Sequence, residues 1–303
     1  MWLAAGALPA AVLAHGGARH GTVPWTFDAW VTVPLFATLA VFLLGHRRLR
    51  NRSARSHEHA ASARWFLAGW IVLAGALVTP LHAAGERSFA AHMLEHELLM
   101  LVAAPLLVMS RPLGIALWAF DGRVRAWLAA AGRQRGVSAA WRSATDPFAA
   151  TLLQAAVLWG WHAPPAFDLA LARPGWHVVQ HVCFLVSALL FWWAMLQGRG
   201  RQRAAVAVGC LFFTSIVSGA LGALMAVSDG PWYAGYAALG LDAFGLTPAE
   251  DQQLAGLLMW VPGGLLHAVV GLIVLARLLR PSGQPTPSTP RAPQPPVTDG
   301  AAP

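Results

Sequence analysis

The sequence predicts an all-α fold: a polytopic membrane helix bundle of about seven transmembrane helices, N-terminus outside and C-terminus inside. Three observations carry this expectation. The chain is 57% hydrophobic and only 11% charged, against roughly a quarter charged in soluble domains. Its apolar residues gather in runs of about 20, the length that crosses a bilayer core. The arginines between those runs collect on alternate segments, as the positive-inside rule requires.

The expected spans are Ala29 to Leu44, Trp65 to Leu81, Phe89 to Met109, Phe148 to His162, Trp176 to Leu196, Ala204 to Val227 and Leu254 to Leu279. Each is read as a helix, because lipid leaves the backbone of an open strand without partners. The first and fourth are short. All 21 basic residues are arginine. Arg47, Arg48, Arg50, Arg52, Arg55 and Arg64 lie between spans one and two, and Arg111, Arg123, Arg125, Arg133, Arg135 and Arg142 between three and four. Arg199, Arg201 and Arg203 follow span five, and Arg277, Arg280 and Arg291 close the chain, while the other side holds only Arg19, Arg87 and Arg173. The arginine-rich segments are therefore expected in the cytoplasm. The net charge of +8 is then a topology signal, and no nucleic-acid partner is needed to explain it. The Arg111 to Asp146 segment is expected to hold a short surface helix around Val124 to Ala131.

The ends differ from the expected membrane domain, residues 25–280. Residues 1–20 form a small apolar segment in which Val12-Leu13-Ala14 resembles a signal-peptidase site, without the positive n-region of a signal peptide. Residues 281–303 are rich in Pro, Ser, Thr and Gln, a composition that cannot build a core and reads as a disordered cytoplasmic tail. Cys183 and Cys210 have no metal-binding or redox spacing and are read as packing residues.

The chemistry is concentrated in two words, His92-Met93-Leu94-Glu95-His96 and His177-Val178-Val179-Gln180-His181. Each puts two imidazoles at i and i+4, on one helix face, and ionisable groups inside a span mark function by default. A single interfacial histidine is ordinarily just a polar residue near the headgroups. Here His92, His96, His162, His177 and His181 fall within roughly 12 Å of the outer ends of three helices, at 1.5 Å per residue, so a shared metal or haem site is geometrically allowed. His82 can join from the rim. His46, His57 and His59 are read as solvated, and His267 as hydrogen-bonded deep in the bundle. Glu95 and Gln180 hold equivalent places and can orient imidazoles. Met93 and Met100 offer thioethers, which suit Cu(I), though methionine in an apolar helix is more often packing. Asp251 and Gln252 open span seven just after Thr247, a plausible N-cap, where acidic residues answer either the helix dipole or the site.

Three chemistries stay open on the residues alone. Imidazoles with nearby thioethers suit copper. Haem iron accepts axial histidines, with the two pairs cooperating across spans three and five. His92-x-x-Glu95-His96 matches a zinc peptidase word in which Glu is the general base, although Gln180 replaces that base in the second word.

Several words in order resemble one family: Ala91 to His96 with Leu98-Leu99-Met100; Trp161-His162-Ala163-Pro164 with Phe167-Asp168; His177 to His181 with Phe191-Trp192-Trp193; and Asp251 to Gly256 with Met259-Trp260-Val261-Pro262-Gly263-Gly264. Together, from about Trp25 to Leu279, they resemble the membrane-embedded CtaG family of cytochrome c oxidase assembly proteins. That is the multi-span caa3-type family, distinct from the Cys-x-Cys copper chaperone of the same name. Glu95 and His267 depart from its pattern. The resemblance implies a multi-pass protein of a bacterial plasma membrane, with the bilayer and a haem-copper oxidase subunit as partners. It further implies a non-enzymatic role in helping copper reach the oxidase, and it adds Asp168 and Met259 to the residues near the site mouth.

Overall fold

The computed structural model describes residues 25–52, 56–198, 200–241 and 244–279, with the side chains of 56–58 set aside. The apolar N-terminal segment with Val12-Leu13-Ala14, the Pro-rich tail and the side chain of His57 lie outside the described residues. The described residues are helical, with no strand among them.

The chain enters through α1 (Ala29–Arg50) and returns through α2 (Ser56–Val78). Thr79 ends α2 and caps the short α3 (Pro80–Gly85), accepting the Leu81 N–H with Pro80 as first residue. The third span starts as α4 (Phe89–Glu97), capped by Ser88, and passes through a π-helical turn, Leu98–Ala103, into α5 (Ala104–Met109). Such a wide turn inside a helix is a frequent companion of functional sites. Here the Met100 carbonyl within it accepts the Trp192 indole N–H at 2.8 Å. Beyond a left-handed Arg111 (φ 50°) come α6 (Pro112–Ala116), a 3-10 turn (Leu117–Ala119), α7 (Gly122–Arg133) and α8 (Arg135–Ala144). α7 has no buried residue, in line with the surface helix expected there.

The second half comprises α9 (Pro147–His162), α10 (Pro164–Ala172), α11 (Pro174–Leu196), α12 (Arg201–Ala226), the single turn α13 (Ala234–Ala237) and α14 (Pro248–Leu279). α14 runs along α12 and touches α4, and α11 packs on α9 and α5. Gly222 and Gly256 set the first of these contacts. A Cβ on Gly222 would lie 2.7 Å from the Gly256 carbonyl oxygen, so the two backbones approach as close as small residues permit.

Among the described residues, six helices are long and apolar enough to cross a membrane: Ala29–Arg50, His59–Val78, Phe89–Met109, Pro174–Leu196, Arg201–Ala226 and Pro248–Leu279. α9, the expected fourth span, has 16 residues and is about 24 Å long at 1.5 Å per residue, short of the roughly 30 Å hydrocarbon core. It stops because Pro164 forces Ala163 out of helical geometry. Length and composition thus qualify six of the described helices where the sequence predicts seven spans, and α9 nonetheless runs back to the end where α4 and α11 begin, its His162 reaching Met93 of α4. The apolar distribution is that of a protein in lipid. Phe89, Phe167, Phe184, Phe191 and Trp192 fill the interior, while Phe36, Leu152, Phe212, Val261 and Leu272 face outward, an exposure soluble monomers avoid.

Candidate metal centre

The starts of α4, α11 and α14 meet the ends of α3 and α9 at one end of the bundle, and the histidines meet there. Spacing alone explains the local arrangement: residues four apart stack one turn above another, so His92 and His96 share a face of α4, and His177 and His181 a face of α11. The ring centroids within each pair are 4.4 Å apart. Packing joins the pairs. His181 Nε2 lies 3.1 Å from His96 Nε2, and the ring of His177 lies 5.1 Å from that of His92. One nitrogen from each of His92, His96 and His181 falls within 4.8 Å of the other two, and all three residues are buried.

His82 belongs to the same cluster. Its ring stacks on His177 at 5.4 Å, and its Nδ1–H donates to Glu95 Oε1 at 2.8 Å. Hydrogen bonding to the Glu95 carboxylate raises the His82 pKa above the ordinary histidine value. Glu95 Oε1 is also 3.8 Å from His181 Nε2. Glu95 therefore orients His82, which the sequence placed only at the rim. His82, Glu95 and His181 form a second compact set of donors.

Tyr236, which belongs to no sequence motif singled out above, fixes one proton in the cluster. Its hydroxyl is 2.6 Å from the Gly85 carbonyl oxygen and 3.0 Å from His92 Nδ1. A carbonyl can only accept and a phenol has one proton to give, so Tyr236 donates to Gly85. His92 must then donate its Nδ1–H to the phenol oxygen. This leaves the His92 Nε2 lone pair free, and that buried nitrogen has no protein partner. Burial holds the Tyr236 pKa well above that of free tyrosine, so it remains a donor. The available signal was that the chain has only 2 tyrosines, three residues apart in one loop.

Other buried atoms at this level also lack protein partners: His96 Nδ1, Glu95 Oε2, His177 Nε2 and both amide atoms of Gln180. A buried polar atom left unpaired costs about 1–3 kcal/mol, so these donors suit a bound cation and its ligand waters. Access is provided by a cavity of about 730 Å³ whose walls include His82, His92, His177, His181 and Tyr236.

The remaining residues singled out in the sequence divide. His162 is buried close by, its Nε2 3.4 Å from Met93 Sδ, with Phe167 packed against both its ring and that of His92, and Phe184 against both its ring and that of His96. Met100 and Met259 line a separate cavity of about 30 Å³ with Glu97, Gln154, Thr214 and His267. Asp251 faces neither. It accepts hydrogen bonds from Ser88 Oγ (2.8 Å), Phe89 N (2.5 Å) and Ala90 N (2.9 Å), so the first acid of α14 caps α4 and fixes the helix that carries His92 and His96. Gln252 ties down the loop before α14, accepting from Trp232 N at 2.6 Å and donating to the Gly230 carbonyl at 3.0 Å. Thr247 is indeed an N-cap, paired with Glu250 in a reciprocal capping box. Asp168 accepts weakly from Gly235 N at 3.4 Å and is not at the cluster. His267 donates Nδ1–H to the Gly263 carbonyl at 2.7 Å and stacks on Trp192, the internal hydrogen bond expected of it. Cys183 and Cys210 are free thiols.

The fold and this arrangement define a multi-pass membrane protein whose helices enclose a buried polyhistidine cluster at one end. The model of the cytochrome c oxidase caa3 assembly factor family matches residues 40–281. The chain belongs to that family. Searches against curated proteins and solved structures give no match.

Proposed function

We propose that this assembly factor binds copper at the His92, His96 and His181 cluster and passes it to a haem-copper oxidase subunit in a bacterial plasma membrane. The observation that carries the reading is the convergence of three buried imidazoles from two helices within 4.8 Å. Neutral imidazole nitrogens are donors that copper accepts, whereas carboxylate-rich sites favour harder ions. A haem would have to pass its macrocycle between imidazoles whose nitrogens are 3.1 Å apart. Against a peptidase, Glu95 already accepts a hydrogen bond from His82 and serves as an orienting group. The arginine asymmetry puts the histidine end outside, the side from which an oxidase copper site would be loaded.

The test is the copper content of detergent-purified protein, with its visible spectrum. We expect copper without a Soret band, reduced in His96→Ala and His181→Ala variants that still insert and fold, and near-normal copper in Glu95→Gln, which keeps an acceptor for His82. Full oxidase activity in cells carrying either histidine variant would refute the reading. A Soret band would select haem, and zinc alone a hydrolase.

A further inference from the structure

We infer that the small cavity enclosed by α4, α9, α12 and α14 is a site for one sodium ion, held by Glu97, Gln154 and Thr214. These three residues and His267 line the cavity of about 30 Å³ described above, with Glu97 and Gln154 each near the middle of its helical run. Glu97 Oε2, Gln154 Oε1 and Thr214 Oγ1 are all buried with no protein partner. Gln154 is 8% and Thr214 7% exposed, so water outside the bundle does not serve them.

The neighbouring bonds show that this cavity collects acceptors. Gln154 Nε2 lies 3.6 Å from Met100 Sδ. A thioether has no proton to give, so the amide N–H faces the sulfur and Oε1 is left as an acceptor. His267 gives its Nδ1–H to the Gly263 carbonyl at 2.7 Å, which leaves a lone pair on Nε2. A Cβ on Gly263 would lie 3.6 Å from Glu97 Oε2, so the carboxylate reaches α14 one turn from His267. Thr151 and Ser218 return their hydroxyls to the carbonyl four residues back, and Thr214 does not. A single hydroxyl proton cannot satisfy the other three acceptors.

The charge decides what fills the space. No ion pair reaches Glu97 among the described residues, and its other flank is an apolar groove walled by Leu94, Leu98, Pro262 and Leu265. An ionised group at this depth needs a counter-charge. One carboxylate with two neutral oxygens matches a monovalent hard ion. Ca²⁺ takes 6–8 oxygens and Mg²⁺ keeps several waters, whereas a water alone needs about 10–15 Å³ by the same measure, so the cavity admits an ion and about one water. That water can donate to His267 Nε2. Met100 Sδ already accepts the Gln154 amide, and oxygen donors favour hard ions over Cu(I). Glu97 follows His96 in sequence but is turned about 100° around the helix, and none of the cluster imidazoles lines this cavity. The sodium site therefore stands independently of the copper reading.

The experiment takes the full chain in detergent, measures bound radiosodium by equilibrium dialysis, and compares thermal unfolding in sodium chloride and choline chloride at equal ionic strength. One Na⁺ per wild-type chain is expected, with a melting midpoint that rises with Na⁺ concentration and is flat in choline. Glu97→Gln keeps the shape without the charge and should lose both the bound ion and the midpoint response. Thr214→Val removes one ligand at nearly constant shape and should weaken Na⁺ binding roughly 2–10-fold. His96→Ala/His181→Ala should bind Na⁺ as wild type does, whatever becomes of its copper. No bound Na⁺ with equal midpoints in the two salts would mean that the cavity holds water only and would overturn the inference. Undiminished Na⁺ in both Glu97→Gln and Thr214→Val, or loss of Na⁺ with the two cluster histidines, would place the ion elsewhere and overturn it as well.

Discussion

The Tyr236→Phe variant tests whether the cluster is built to bind a cation, because it removes one oxygen and nothing else. The ring stays, with its centroid 5.2 Å from that of Phe89, so no cavity opens. What is lost is the acceptor for His92 Nδ1–H and the donor to Gly85. With neither tautomer favoured, His92 can carry its proton on Nε2, where a metal would bind. Losing such an orienting partner typically costs about 10–100-fold in metal affinity, or about 1.4–2.7 kcal/mol. Folding should weaken by about 1–3 kcal/mol from the unpaired Gly85 carbonyl. Competition against a chromogenic Cu(I) chelator in detergent reads the first quantity and thermal unfolding the second. Tyr233→Phe is the control, since that hydroxyl donates to the His162 carbonyl and touches no imidazole nitrogen of the cluster. An affinity in Tyr236→Phe equal to wild type would mean that the proton is not held as the geometry requires.

Three further outcomes are expected. Asp251→Ala removes the acceptor of Ser88 Oγ, Phe89 N and Ala90 N and should cost about 2–4 kcal/mol, since charge-assisted hydrogen bonds and caps contribute about 1–3 each without full additivity; Asp251→Asn should cost about half, and thermal unfolding with unchanged midpoints in both would show the cap to be dispensable. Gly222→Val sets side-chain atoms against the Gly256 carbonyl and Trp260 N and should separate α12 from α14, losing about 3 kcal/mol or more, above the range for overpacked side chains because the obstacle is backbone; normal yield and melting temperature would contradict the close contact. The metal-free protein should lose stability as pH rises: the pKa of His82 is raised above 6.5 by Glu95, so its contribution is complete below 6.5 and disappears as pH passes through the raised value. The melting difference between wild type and His82→Gln should therefore shrink between about pH 6 and pH 9, and a difference that grows would reverse the assignment.

The sequence by itself determined the class of fold and the pairing of the imidazoles along each helix. Hydropathy fixes where helices lie, because lipid permits the backbone no alternative, and the i, i+4 words fix which imidazoles share a face, because 3.6 residues per turn leaves no choice. Both are local facts. Tertiary structure decided everything that depends on two helices meeting. It decided that His181 reaches His96, while His162 meets Met93 and packs on Phe184. It decided that Glu95 serves His82 and that Asp251 caps a helix 162 residues away in sequence, where the sequence offered only its own helix or the site. It drew in Tyr236, which lies 144 residues from the imidazole it orients and belongs to no histidine word. Such partners are set by the rotation and depth at which packed helices lock together, a property of the whole set of side chains in the interior that no single stretch of the chain encodes.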